Sequence, residues 1–371
     1  MSLFDRYLAK EILLPFGAGV VFLTQILLAT QLLAQADILF GSGVSPIDLL
    51  AVVANLLPHM LGYVLPIAFL LGAVIGIGRL SEDREVIALG AAGVSPVRLV
   101  RVPLAIGIAT AALGLWLSLS LEPAALAAAR ERLNDIVKRN VMSDVHPGTF
   151  YDQIPGYTLY AERVRGGRWE NVLISDHSNP AAPVLALAAT GGLEPVGLGE
   201  EMQLVLGKGE LHREDAASNE YATALFDRAA LVIGLGTALT DRNVLARSVR
   251  EMSASAMEAR IREARAKGEV DEVRRFQGYL HRRLAQPLAL IPFALLAVPL
   301  GASRRVGRAF AVTATLLAVV AHYVLLRGGE VLAQKGALPA ALALQIPTLV
   351  LSAVALALVA LQARRGVGAV R

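Results

Sequence analysis

Six stretches of the chain carry no Asp, Glu, Lys or Arg: Ile12–Ala36, Leu49–Gly78, Val102–Leu121, Leu284–Ser303, Ala309–Leu326 and Gly336–Ala363. Each meets the roughly 18 to 20 residues that a helix needs to cross about 30 Å of hydrocarbon, and the longer ones leave room for tilt. Three precede and three follow a polar block, and 43 of the 66 acidic and basic residues lie between Pro123 and Arg283. The spans are therefore far more apolar than the chain average. The pattern predicts an α-helical polytopic membrane protein, six transmembrane helices set three plus three around a water-facing insert. Pro15, Pro58, Pro66, Pro287, Pro292, Pro299 and Pro347 fall within the apolar stretches. Such prolines are tolerated where neighbouring helices satisfy the freed carbonyls, so kinks are expected, above all in the second and fourth spans.

Periodicity divides the chain into residues 1–122 with spans one to three, an insert over 123–283, and residues 284–371 with spans four to six and a tail. Within the insert, Ala124 to Val137 has helix formers and amphipathic spacing, so the third span is expected to continue outward and to end near Asn140. From about 145 to 245 the pattern becomes short alternating segments broken by Gly, Pro and Asn. Tyr157–Arg163 and Trp169–Asp176 flank Arg165-Gly166-Gly167-Arg168 as a hairpin. Val184–Ala189, Met202–Leu206, Glu210–Arg213 and Tyr221–Val232 supply further strands, with Gly207-Lys208-Gly209 read as a link between two of them. A small β-sandwich or β-jellyroll follows. Met252 to Arg283 turns helical again, divided at Gly268, and leads into the fourth span.

Composition agrees: 371 residues, 55% hydrophobic and 18% charged, with mean hydropathy +0.55, are too apolar for an ordinary soluble protein. Short-loop Lys and Arg set the orientation. With the N-terminus in the cytoplasm, Arg6, Lys10, Arg79, Arg84, Arg98, Arg101, Arg304, Arg305, Arg308, Arg364, Arg365 and Arg371 all lie inside, leaving Arg327 and Lys335 in short outside loops. The insert is then extracytoplasmic and the protein multi-pass. There is no cysteine, so the insert folds without disulfides. Ala34-Gln35-Ala36 resembles a signal-peptidase site, but the apolar run before it exceeds the usual 7 to 15 residues, and retention of the first span is expected.

Motifs exclude several chemistries. There is no G-x-x-x-x-G-K-[ST] phosphate loop, H-E-x-x-H, C-x-x-C or G-x-S-x-G, so the chain is expected to bind no cofactor or metal and to be non-catalytic. The histidines lack metal-ligand spacing. His59 and His322 lie in apolar windows, where no acid accompanies them, so proton-driven transport finds no support. Nothing points to nucleic acid.

The most informative short loop runs from Ser81 to Gly93 (residues 81–93). Ser81 is expected to cap a short cytoplasmic helix, Glu82 and Asp83 suit its positive end, and Gly93 is placed to end it in a left-handed conformation. Val86 and Leu89, with Gly90 and Gly93 nearby, form a knob suited to a protein groove; lying on lipid is the alternative.

The whole chain, from residue 1 to about 365, resembles the LptF/LptG permeases of lipopolysaccharide export. The resemblance is carried by the three-plus-three spans around a β-rich insert, the Ser81–Pro96 loop, the block from His281-Arg282-Arg283-Leu284-Ala285-Gln286-Pro287 to Pro299-Leu300-Gly301, and Gly336-Ala337-Leu338-Pro339. The insert and that last motif are closer to LptF than to LptG. The likeness implies a heterodimer with a second permease, seated on a dimer of an LptB-like ATPase that uses ATP, and passing lipopolysaccharide to an LptC/LptA-like periplasmic bridge. It makes Glu82, Glu85, Val86, Leu89 and Gly93 the coupling segment that meets the ATPase. The outer end of the first span, Thr30 to Asp37, has no base, so the resemblance leaves Arg327, Lys335, Arg282 and Arg283 as the candidates for phosphate recognition, with plain interfacial anchoring the equal alternative for all four and the partner subunit another source of charge. A permease for another envelope lipid, or a membrane-anchored enzyme or adhesion protein acting through the insert, are the competing readings.

Overall fold

The computed structural model describes residues 3–34, 45–144, 147–151, 156–165, 168–177, 183–196, 201–215, 220–233, 249–302 and 308–365. Gln35 and Ala36, the hairpin residues Gly166 and Gly167, and Arg304 and Arg305 lie outside them. Among the described residues, six helices are long and apolar enough to cross a membrane: Leu3–Leu33, Pro46–Glu82, Val97–Leu133, Val270–Gly301, Ala309–Gln334 and Ala340–Arg364. The inserted β domain lies between the third and fourth, so the chain is a polytopic membrane protein of the expected class.

The helices are α1 (Leu3–Ala34), α2 (Pro46–Glu82), the short α3 (Glu85–Ala91) and α4 (Pro96–Trp116). A π-turn over Leu117–Leu121 joins α4 to α5 (Glu122–Asp144). The helix therefore outlasts Asn140, because Val141 to Asp144 contains no breaker. After the sheet come α6 (Ala254–Lys267) and α7 (Val270–Leu288), separated by Gly268 at φ +75°. Ala289 parts α7 from α8 (Leu290–Gly301), where Pro287 and Pro292 remove backbone donors. The last spans are α9 (Arg308–Gln334) and α10 plus α11 (Ala340–Ala343, Ile346–Arg365).

The chain divides into two compact units, one of residues 1–31, 54–126 and 249–371, the other of 32–53 and 127–248. The first unit is a helical bundle whose core combines Leu8 and Ile12 of α1, Phe69 and Leu70 of α2, Leu99 of α4, Phe293 of α8 and Ala355 of α11. Glycines set its closest approaches. A Cβ at Gly76 would stand 2.3 Å from the Glu11 carbonyl oxygen, and one at Gly72 2.5 Å from the Phe16 nitrogen. In lipid, where apolar burial drives association little, such backbone contact is what binds one helix to another. The fully buried residues of α1, Leu8 and Ile12, lie in its early turns, and Gly19 still meets Ala68 of α2, where an added Cβ would stand 3.4 Å from the Ala68 Cβ, whereas Val21, Phe22, Ile26 and Leu33 are exposed.

Among its described residues the second unit contains six antiparallel strands hydrogen-bonded in chain order: β1 (Phe150–Tyr151), β2 (Tyr157–Arg165), β3 (Arg168–Asp176), β4 (Val184–Val196), β5 (Glu201–Asp215) and β6 (Glu220–Ile233). Arg165 pairs with Arg168, as the expected hairpin requires. The long strands bend along a common line. Register passes from Ala161↔Val172 to Arg163↔Glu170, from Ala188↔Gly209 to Thr190↔Gly207, and from Gly209↔Phe226 to Gly207↔Arg228. On that line stand Asn171 at φ 49° and Lys208 at φ 45°. A left-handed residue shifts which side chains face inward: Leu159, Ile174 and Ala186 fill the core on one side of the line, Trp169, Leu204 and Leu206 on the other. Gly207-Lys208-Gly209 is thus the bend within one 15-residue strand, and not a link between two.

Candidate functional site

Two polar clusters stand out in the helical unit. The first surrounds α3. Ser81 does not cap it: α2 runs on to Glu82, and Arg84 in the left-handed region, φ 61°, precedes α3 with no side-chain cap. The Ser81 hydroxyl instead points to the Ala302 carbonyl at 3.5 Å. The other end is as expected. Gly93 has φ +83°, and the Val94 and Gly93 amides donate to Leu89 and Gly90 carbonyls, the paired bonds of a Schellman stop. Val86 is only 2% exposed and belongs to the bundle core, with Leu89 packed against that core. These two residues anchor α3 and do not form an outward knob. The exposed face is Glu82, Asp83, Arg84, Ala88 and Gly90 to Gly93.

α1 reaches this cluster twice. The Tyr7 hydroxyl donates to Glu85 Oε1 at 3.1 Å, and Glu11 pairs with Arg79 of α2 at 3.4 Å. Neither contact has a local signature, since the partners are 78 and 68 residues apart.

The second cluster joins α2, α7 and α9 near the end from which the chain departs for the insert. Glu330, 8% exposed, receives Arg282 at 2.8 Å on one carboxylate oxygen and Arg327 at 2.7 Å on the other. Arg282 also donates to the Tyr63 hydroxyl at 3.2 Å, and the Tyr323 hydroxyl donates to the Tyr63 carbonyl at 3.5 Å. Glu330 was missed because it lies four residues beyond the apolar window that ends at Leu326. Helical spacing from Arg327 was the available clue.

The four expected cations have different fates. Arg282 and Arg327 converge on Glu330, but the Arg327 side chain remains 72% exposed. Lys335 is exposed at the end of α9. Arg283 is 6% exposed and donates to the carbonyls of Met252, at 2.7 Å, and Arg250. It ties the returning chain to α7 and offers nothing to a ligand. Nearby, His59 lies 2.8 Å from Glu122. The acid partner that the apolar windows lacked is thus one residue past the third of them, carried round by the π-turn. Both side chains are partly buried, at 21% and 13% exposure.

In the β unit, Tyr160, Leu173, Leu187, Glu210 and Leu225 stand opposite one another across successive strands. With Asn171, Ala189 and Gly209 they line an open groove of about 550 Å³. Its walls are mainly apolar, as an acyl chain or another apolar segment would need. Among the described residues no group of three or more His, Asp or Glu gathers as a metal site.

No curated relative matches the chain. The family described as lipopolysaccharide export system permease LptF/LptG matches residues 6–360, which takes in the four middle spans, most of the first and last, α3, the sheet and both polar clusters. Six membrane-crossing helices, an inserted antiparallel sheet and a match over nearly the full length place this integral membrane protein in the LptF/LptG family of lipopolysaccharide export permeases.

Proposed function

We propose that this chain is one membrane subunit of an ATP-driven exporter that draws lipopolysaccharide from the inner membrane and passes it, through a periplasmic insert, to a bridge toward the outer membrane. The observation that carries the reading is the family match over residues 6–360. The geometry adds support. An exporter without its own nucleotide site needs a rigid element to receive force, and α3 is short, stopped at Gly93 and anchored by Val86. Its exposed face, Asp83, Arg84 and Ala88, is where an LptB-like ATPase dimer would seat, with Glu85 at its margin. A second LptF/LptG-type permease completes the membrane portion. The exposed apolar face of α1 suits such a neighbour or the lipid itself, and an LptC/LptA-like partner continues the path beyond the sheet.

Arg327 and Lys335 are the cations open to a lipid phosphate. ATP is consumed by the partner and not held by this chain. Mild-detergent purification of the full chain tests the assembly: an ATPase and a second permease should co-elute in stoichiometric amounts. Glu85→Ala should preserve that complex and abolish export. Undiminished export by the assembled variant would remove Glu85 from the coupling path, and a chain that purifies without any ATPase would overturn the proposal.

A further inference from the structure

We infer that Glu330 is a built-in counter-anion, which holds the Arg282–Arg327 site while it is empty and which a lipid headgroup phosphate must displace in order to bind. The inference rests on the lipopolysaccharide reading above and adds to it how the cargo is let go. Both oxygens of this carboxylate are occupied, one by Arg282 at 2.8 Å and one by Arg327 at 2.7 Å. A nearly buried acid in a membrane-spanning helix is costly unless paired, and the largely buried Arg282 guanidinium, its side chain 26% exposed, needs a partner for the same reason. The clasp solves both problems in the absence of cargo.

The pairing is unequal in a way that points to exchange. Arg282 is held from two sides, by Glu330 and by the Tyr63 hydroxyl at 3.2 Å, and its side chain is 26% exposed. Arg327 gives one nitrogen to Glu330 and leaves its side chain 72% exposed, so its other N–H groups are open to an anion arriving from the surface. A phosphate monoester offers three oxygens to a planar fork that binds it in bidentate fashion. Two guanidinium charges and one carboxylate leave a single net positive charge. A dianionic phosphate overcompensates this while Glu330 remains in place, so binding favours movement of the carboxylate away. Its return favours release. A site made only of arginines would bind more tightly and discharge more slowly, a fault in an exporter.

The test measures equilibrium binding of bisphosphorylated lipid A and of the same lipid with its phosphates removed, to the full chain in lipid nanodiscs, with inorganic phosphate as a competing arm. Glu330→Gln keeps the shape of the side chain, removes its charge and leaves one acceptor oxygen where the carboxylate has two. It should tighten binding of the phosphorylated lipid about tenfold, slow its dissociation similarly, and leave the dephosphorylated lipid unchanged. Arg327→Gln, at an exposed position that folding tolerates, should weaken only the phosphorylated lipid. Unchanged or weakened affinity of Glu330→Gln for the phosphorylated lipid, with wild-type binding intact, overturns the counter-anion and leaves the transport reading standing. An equal tightening for both lipids also overturns it, as does displacement of the lipid by inorganic phosphate at comparable concentration. If the wild-type chain binds neither lipid, the lipopolysaccharide reading falls and this inference falls with it.

Discussion

Tyr7, in the second turn of the first span, donates its hydroxyl hydrogen to the carboxylate of Glu85 at 3.1 Å. With Glu11 and Arg79 paired one helical turn away, the loop helix is joined to α1 as well as to α2. Leu8 and Ile12 fix the early turns of α1 in the bundle core, so a displacement of α3 would bear first on that anchored part of the helix.

Removing that hydroxyl should loosen the joint without harming the fold. Tyr7→Phe is expected to lower lipid export per ATP hydrolysed several-fold, the scale of losing one hydrogen bond of about 1 kcal/mol. Reconstituted transport and hydrolysis, measured on the same complex, check the ratio.

Close helix contact predicts a steric effect at Gly76. Gly76→Val places new atoms against the Glu11 carbonyl and should destabilise the bundle by about 1–3 kcal/mol. Gly17→Ala, with nothing within 4 Å of the added carbon, is the matched control. Thermal unfolding in detergent distinguishes them.

Arg283 should behave as a structural residue. Arg283→Met leaves the carbonyls of Met252 and Arg250 without their donor, at a cost of about 1–3 kcal/mol each where they are buried. The expected result is reduced folded yield with no selective change in lipid affinity, read from size-exclusion recovery and binding to the recovered fraction.

At the sheet bend, two neighbouring substitutions should act in opposite directions. Lys208→Gly relieves a left-handed backbone and should stabilise the insert by about 1 kcal/mol, while Gly209→Ala drives a carbon into the Leu187 carbonyl and should destabilise it. Protease resistance of the insert within the full chain reports both.

Period and charge made the spans and the insert readable in the sequence, because a run without charges long enough to cross a bilayer has few other uses. Gly93 and Gly268 were also legible, since left-handed helix stops select glycine. The β5 bend was not: Gly207-Lys208-Gly209 has the composition of a turn, and only pairing with β4 and β6 keeps it inside a strand. Val86 and Leu89 were misread because helical spacing identifies an apolar face without saying what covers it. The Tyr7–Glu85 bond and the Arg282–Glu330 pair are tertiary, and local sequence carries no record of partners many residues apart; the Arg327–Glu330 half of the clasp has a local trace in its three-residue spacing.

Depletion of the protein in cells, followed by membrane fractionation, tests the central claim most directly. The account predicts that newly made lipopolysaccharide accumulates in the inner membrane and that its surface delivery falls with the level of this chain. Normal delivery of lipopolysaccharide to the cell surface after depletion would contradict it.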